Sequence, residues 1–239
     1  RSGMEPHSEA LISVGRTLDA CANIKLLGVM THAGESYNCF TPATRLAMAK
    51  QERDLSLVAA NRLRQRGLSC PEVSIGSTPT AFAIDDLSGI TEVRAGVYVF
   101  FDLVMSGLGV CTEDDIAISV LASVIGYQEG KSWVITDAGW MAMSRDRGTA
   151  EQPTDQGYGL IKDSSGQSLG DYILSSANQE HGIISCRDRT QSMNYRDLPI
   201  ASQLRILPNH ACATAAQFTH FAVVDNGVVI AQWPSIGGW

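Results

Sequence analysis

Two short runs carry residue types that could do chemistry. In Pro208-Asn209-His210-Ala211-Cys212 an imidazole and a thiol stand two positions apart. On an extended segment such residues share a face, so His210 and Cys212 could present nitrogen and sulfur to one ion. That donor pair suits zinc better than magnesium or calcium, which take oxygen ligands. Taken alone, the spacing favours a satisfied core histidine beside a buried cysteine, because His-x-Cys is short and common and most zinc sites use three or four ligands. The second run, Ser74-Ile75-Gly76-Ser77-Thr78-Pro79-Thr80, is a loop of small residues after an apolar stretch. Its backbone N–H groups and hydroxyls could hold an anion, with phosphate the natural guest. An ordinary turn fits the same residues equally well.

Three further runs are weaker. In Thr91-Glu92-Val93-Arg94-Ala95-Gly96-Val97-Tyr98, Arg94 is a permanently charged donor and Gly96 permits close backbone approach. A surface arginine before a strand is the simpler reading of that run in isolation. Thr31-His32-Ala33-Gly34-Glu35-Ser36-Tyr37 is a polar loop after another apolar run, and Glu180-His181-Gly182 adds a histidine that on its own reads as structural.

The elements that must position these residues alternate in the first half. Ser8 leads into Leu11, Val14 and Leu18 at helical spacing. Residues 24–30 form a short apolar run that predicts a buried strand. Thr41-Pro42 supplies an N-cap and a first-turn proline for a helix through Leu46, Ala49, Leu57, Ala60 and Leu63, with Gly67 as its stop. Residues 72–75 predict a second strand, and residues 93–101 are apolar again. The reactive runs thus follow strands, where parallel α/β folds build their sites. About three strands are present, whereas a complete parallel barrel has eight.

Past Gly107 the pattern turns to β. Residues 116–125 and 132–136 are strand-like, and residues 221–233 read as a hairpin around Asp225-Asn226-Gly227. Residues 145–170 are rich in Gly, Asp and Ser and predict long loops of the kind that border active sites. The expected architecture is α/β plus β: residues 1–107 as the C-terminal part of a TIM-like (β/α) barrel, and residues 108–239 as a mainly β domain.

Composition removes several function classes. The 239 residues are 44% apolar and 18% charged, with a formal net charge of -7. Lys and Arg are scattered, so no basic stripe for nucleic acid is present. No apolar run has the length of a membrane span, and no signal-peptide apolar core follows the start. The six cysteines include no Cys-x-x-Cys pair, which predicts reduced thiols and a cytoplasmic protein. The chain opens at Arg1 and reads as if it starts inside a fold.

Taken in order, these runs resemble the D-serine dehydratase and D-threonine aldolase family, which uses pyridoxal phosphate on an alanine racemase-like fold. Arg1-Ser2-Gly3 looks like the end of an Asp-x-Gly-x-x-Arg-x-Gly motif. His32-Ala33-Gly34 with Tyr37 resembles the His-x-Gly-x-x-Tyr loop, and Gly76-Ser77-Thr78-Pro79-Thr80 the phosphate-holding run. Glu92-x-Arg94-x-Gly96-x-Tyr98 is similar to the next motif, while Glu180-His181-Gly182 and Pro208-Asn209-His210-x-Cys212 resemble C-terminal ones.

The resemblance, which covers essentially the whole chain, implies roles. Gly76, Ser77, Thr78 and Tyr37 would hold the cofactor phosphate, and Gly96 and Val97 would add backbone amides. Arg94 or Arg1 would touch the pyridine ring or its phenolic oxygen. His210 and Cys212 would hold Zn2+ or another divalent metal beside the β-hydroxyl of a small D-amino acid. Cys212 favours dehydration, with D-serine giving pyruvate and ammonia. Retro-aldol cleavage to glycine and an aldehyde is the alternative, as is an inactive fragment. The family's Schiff-base lysine has no counterpart in context among Lys25, Lys50, Lys131 and Lys162, so it is expected upstream. A homodimer is expected, with no nucleic-acid or membrane partner. Glu35 stands where histidine or glutamine is commoner in the family.

Overall fold

The helices form where the sequence supplies caps. The computed structural model describes residues 3–237; Arg1 and Ser2, and with them the assignment of a ring contact to Arg1, lie outside them. The Ser8 hydroxyl accepts from the Leu11 amide at 3.3 Å and opens α1 (Glu9–Asp19). Thr41 and Thr44 bond reciprocally at the head of α2 (Pro42–Gln65). Gly67, at φ +77°, takes the left-handed conformation that ends that helix.

The structure divides into two units. The first comprises residues 1–98 with 108–110, and the second residues 99–107 with 111–239. The sequence boundary at 107/108 falls inside this exchange of segments.

In the first unit β1 (Gly28–Met30), β2 (Glu72–Ile75) and β3 (Glu92–Val93) form a parallel sheet in that order, with α3 (Thr78–Ala81) following β2. Parallel neighbours need a crossover, and α2 supplies it between β1 and β2. Leu11, Ile12, Ala60, Leu63 and Val73 pack the core between helices and sheet. Two apolar runs shrink. Strand β1 omits residues 24–27, where Ile24 and Leu27 are exposed. Pairing on the third run ends at Val93, and residues 97–99 form a 3-10 turn with Val99 exposed. Apolar side chains that find no layer to pack on do not extend a strand.

The second unit begins with α4 (Leu103–Gly107). Strands β4 (Val120–Gln128), β5 (Trp133–Thr136), β6 (Gly159–Asp163), β7 (Ser168–Ala177), β8 (Gly182–Cys186) and β9 (Gln203–Pro208) close into a barrel ordered β4-β5-β8-β7-β6-β9. Every pairing is antiparallel. Closure leaves no exposed edge strand. Along β4, Val120, Ala122 and Val124 point inward while Leu121 and Ile125 face out. The residues 145–170 are less loop-like than their composition predicts. They contain β6 and the start of β7, because Ile161 fills the barrel core while Leu160, on the opposite face, packs with Leu103, Ile173 and Leu207.

Short helix α5 (Trp140–Met143) lies between β5 and β6, α6 (Ala211–Ala215) follows β9, and β10 (His220–Asp225) pairs with β11 (Val228–Pro234). Asn226 and Gly227 both take positive φ, as a two-residue hairpin turn requires. No helix of the described residues is long and apolar enough to cross a membrane, and all six cysteines are free.

Leu174, Ile184, Leu204 and Ile206 are completely buried in the barrel core. Leu174→Ala is expected to cost about 2–5 kcal/mol through lost contacts and a residual cavity. Urea unfolding checks this; a midpoint within error of the parent would contradict the assigned core.

Candidate active site

The first set of residues gathers at the ends of β1 and β2. At the end of β2 the chain turns through Gly76 at φ +145°. A Cβ there would stand 2.2 Å from the Arg94 carbonyl oxygen and 2.6 Å from its nitrogen, so only glycine lets the two backbones approach. The Gly76 N–H donates to Glu52 Oε1 at 3.1 Å, and its carbonyl lies 2.9 Å from His32 Nδ1. Ser77 caps α3, and its Oγ also meets Ser36 Oγ at 3.1 Å and Thr80 Oγ1 at 2.9 Å. Thr78 is 2% exposed, and its hydroxyl has no hydrogen-bond partner. A buried orphan hydroxyl calls for an occupant that the protein atoms do not supply. An anionic oxygen at that point fits it, so the loop fits a phosphate group.

Tyr37 lies in the 3-10 turn Gly34–Asn38, with its ring centroid 6.2 Å from that of His32. Arg94 straps the strand ends together. Its Nε donates to Ser74 Oγ at 2.7 Å, and its Nη2 donates to the Thr31 carbonyl. Gly96 and Val97 follow at the start of the next turn; Val97 is buried, and the space where a Gly96 Cβ would go is open. Hydrogen bonds and packing bring Gly76, Ser77, Thr78, Tyr37 and Arg94 into one neighbourhood. Gly96 and Val97 join it through chain connectivity alone.

The second set belongs to the other unit. His210 follows β9 and takes extended angles as the N-cap of α6, so Cys212 stands in the first turn of a helix. The extended segment expected over 208–214 is therefore replaced by a strand–helix corner. Buried Asn209 and Asp102 hold that corner. Thr149 Oγ1 donates to Asn209 Oδ1 at 2.6 Å, and the Asn209 amide donates to the Gly157 carbonyl. Asp102 Oδ2 accepts from the Ala211 N–H and its Oδ1 from the Met105 N–H, each at 2.9 Å.

His210 Nδ1 meets Asp146 Oδ2 at 2.6 Å, which leaves Nε2 as the ring nitrogen for a metal. A carboxylate on the far nitrogen fixes the tautomer and ring plane, as in many carboxylate–histidine–metal arrangements. Cys212 is exposed and interacts with the imidazole. Among the described residues no group of three or more His, Cys, Asp or Glu could hold a metal ion. The donor set is a nitrogen and a sulfur.

The electrostatics follow from these contacts. The Asp146 hydrogen bond, then the Cys212 thiol, push His210 up to about 10, while the His210 bond holds Asp146 below its usual range. Burial raises Asp102 against the pull of its two amide donors, and burial pushes the Cys111 thiol up to about 12. For the metal-free protein the sign is definite. A raised histidine stabilises fully below its unfolded pKa, and that contribution fades as pH rises through about 10. A lowered carboxylate contributes above its unfolded pKa and is lost as pH falls through its folded one. Asp146→Asn is therefore expected to return His210 toward an ordinary imidazole titration, read by NMR. It should also weaken metal binding about 10–100-fold. An unchanged titration would remove Asp146 from this role.

Sequence reasoning missed Asp146, Asp102 and Glu52. The Gly/Asp/Ser-rich stretch pointed to the region of Asp146. Nothing local marks Asp102 or Glu52.

The chain is similar to several known proteins. The family model described as "Putative serine dehydratase domain" matches residues 117–224, and that described as "Alanine racemase, N-terminal domain" matches residues 1–104. The D-threo-3-hydroxyaspartate dehydratase of Delftia sp. strain HT23 is 51% identical over 230 residues, 96% of this chain and 60% of that enzyme. Its solved structure superposes with a TM-score of 0.93 over 100% of this chain and 63% of the other. Structures of that enzyme include a histidine-to-alanine variant and a cysteine-to-alanine variant in the metal-free form, the two altered positions standing two apart. An alanine racemase-like protein from Idiomarina loihiensis is 44% identical with a TM-score of 0.90, over 100% of this chain and 62% of the other. The D-serine dehydratase of Dictyostelium discoideum is 30% identical over 207 residues, 83% of this chain and 51% of that enzyme. The fold is thus of the alanine racemase-like type, the C-terminal part of a TIM-like barrel followed by a mainly β domain. The chain belongs to the D-serine dehydratase-like family of that fold. It spans 60% of the length of the Delftia enzyme.

Proposed function

We propose that this chain carries the phosphate-holding and metal-holding parts of a pyridoxal phosphate- and metal-dependent lyase that dehydrates β-hydroxy D-amino acids. The observation that carries the reading is His210, held through Nδ1 by Asp146 beside exposed Cys212. The spacing equals that of the histidine and cysteine altered in the Delftia variants, one of them described as metal-free. When bound, pyridoxal phosphate supplies an electron sink for breaking a Cα–H bond, and a divalent metal, with zinc the best match to nitrogen and sulfur donors, supplies Lewis acidity.

The chain's own residues hold and orient. The Thr78 hydroxyl donates to the phosphate, and Ser77 fixes the turn that aims it. Gly76 acts by permitting close packing, since its amide is taken by Glu52. Arg94 ties the strand ends that carry Thr31 and Ser74, Tyr37 stands beside His32, and Gly96 and Val97 would add backbone amides to the phosphate. Asp146 fixes the imidazole, and His210 with Cys212 would hold the metal, which would supply Lewis acidity toward a β-hydroxyl. Lys50 and Lys162 are paired with Asp85 and Glu113, each at 2.9 Å, and Lys131 lies over the Trp133 ring. These three are committed elsewhere than the phosphate loop.

The first substrate to test is D-threo-3-hydroxyaspartate, and D-serine the second. The full-length protein, supplied with cofactor and zinc, is expected to release ammonia and a keto acid, and to lose that activity on chelation. Glycine and an aldehyde as products would establish aldol cleavage instead. Full activity after chelation would sink the metal role.

A further inference from the structure

Helix α2 buries a carboxylate at 6% exposure, Glu52, that reaches the ends of both strands the helix connects. Oε1 accepts from the Ala33 N–H at 3.0 Å and from the Gly76 N–H at 3.1 Å, and Oε2 accepts from Thr80 Oγ1 at 2.7 Å. One side chain thus ties the loop after β1, the loop after β2 and helix α3. Removing a carboxylate from water is costly unless donors satisfy it, and here three do.

Proton counting then orders the neighbouring hydroxyls. The Thr80 hydroxyl has one proton and gives it to the carboxylate, so at 2.9 Å it accepts from Ser77 Oγ. Ser77 Oγ in turn accepts from Ser36 Oγ at 3.1 Å. The protons run from Ser36 through Ser77 and Thr80 toward Glu52. Ser77 therefore has no proton left for an anion, whereas the Thr78 hydroxyl is buried and unpartnered.

We propose that Glu52 is a positioning residue for the cofactor phosphate: by holding the Ala33, Gly76 and Thr80 donors it shapes the Gly76–Thr80 loop and leaves Thr78, not Ser77, as the hydroxyl that donates to phosphate. The proposal rests on the phosphate reading of that loop.

The test compares equilibrium binding of pyridoxal phosphate and of pyridoxal, which lacks the phosphate, to the full-length apoprotein. Glu52→Ala is expected to cut the preference for the phosphorylated form by about tenfold or more, the scale of losing hydrogen bonds to a charged group. Glu52→Gln, whose carboxamide can still accept from both amides, should restore most of that preference. Thr80→Val removes one leg of the network and should shift the preference in the same direction by less; it carries the test if Glu52→Ala does not fold. Far-UV circular dichroism and urea unfolding report whether each variant is folded. An unchanged preference in Glu52→Ala, or equal losses for both ligands, would overturn the role of Glu52 alone. A parent protein that does not prefer pyridoxal phosphate over pyridoxal would sink the phosphate reading, and this proposal with it.

Discussion

Cys212→Ala is expected to leave the protein unable to retain a divalent metal through dialysis, with affinity for zinc reduced by about a hundredfold or more. The donor set explains the size. Only His210 and Cys212 are offered, and among the described residues no third His, Cys, Asp or Glu completes a cluster. Without the thiolate a single imidazole remains, and no other ligand can share the loss. Cys212 is exposed, so the folded state should barely notice, with stability changing by less than about 0.5 kcal/mol. His210→Ala should lose metal equally, and it should also leave Asp146 without its partner. Metal content by atomic absorption, with chelator competition for affinity, checks both. A Cys212→Ala protein holding one zinc at near-parental affinity would exclude the pair as the site.

Gly76→Ala is expected to destabilise the protein by about 3–4 kcal/mol and to abolish cofactor binding. Two costs add. The backbone at φ +145° resists any side chain, and the new Cβ would press into Arg94 at 2.2 Å from its carbonyl oxygen. Relief would pull β2 away from the segment after β3 and break the Gly76 bond to Glu52. Gly96→Ala is the matched comparison, because nothing lies within 4 Å of the position its Cβ would take. Its stability should stay within about 0.5 kcal/mol of the parent, and any effect should fall on affinity for pyridoxal phosphate. Urea midpoints paired with cofactor titrations separate these outcomes. A loss below about 1 kcal/mol for Gly76→Ala would mean that the strand ends tolerate separation.

The features legible in the sequence are those whose physics is local. Ser8 and Thr41 cap helices because a hydroxyl reaches an amide three residues on. Asn226-Gly227 makes a hairpin because both residues accept positive φ. The Gly76–Thr80 loop and His210-x-Cys212 are also contiguous, and their order along the chain carried the family resemblance. Apolar runs were less reliable. Residues 24–27 and 97–101 looked like strand but bury only Leu26 and Val97 and form no ladder, and residues 159–163 joined a barrel despite loop-like neighbours.

Tertiary structure alone decided which side chains support the site. Asp146 meets His210 across 64 positions, and Glu52 draws in Ala33 from one segment and Gly76 and Thr80 from another. Asp102 reaches Ala211 across 109 positions. No spacing rule encodes such contacts, because they exist only once the crossover and the barrel have closed. The sequence by itself displayed the contiguous runs, Gly76–Thr80 and His210-x-Cys212, that carry the candidate donor groups. The fold decided how they are held, since burying a carboxylate or orienting an imidazole requires donors and acceptors that only distant parts of the chain can bring.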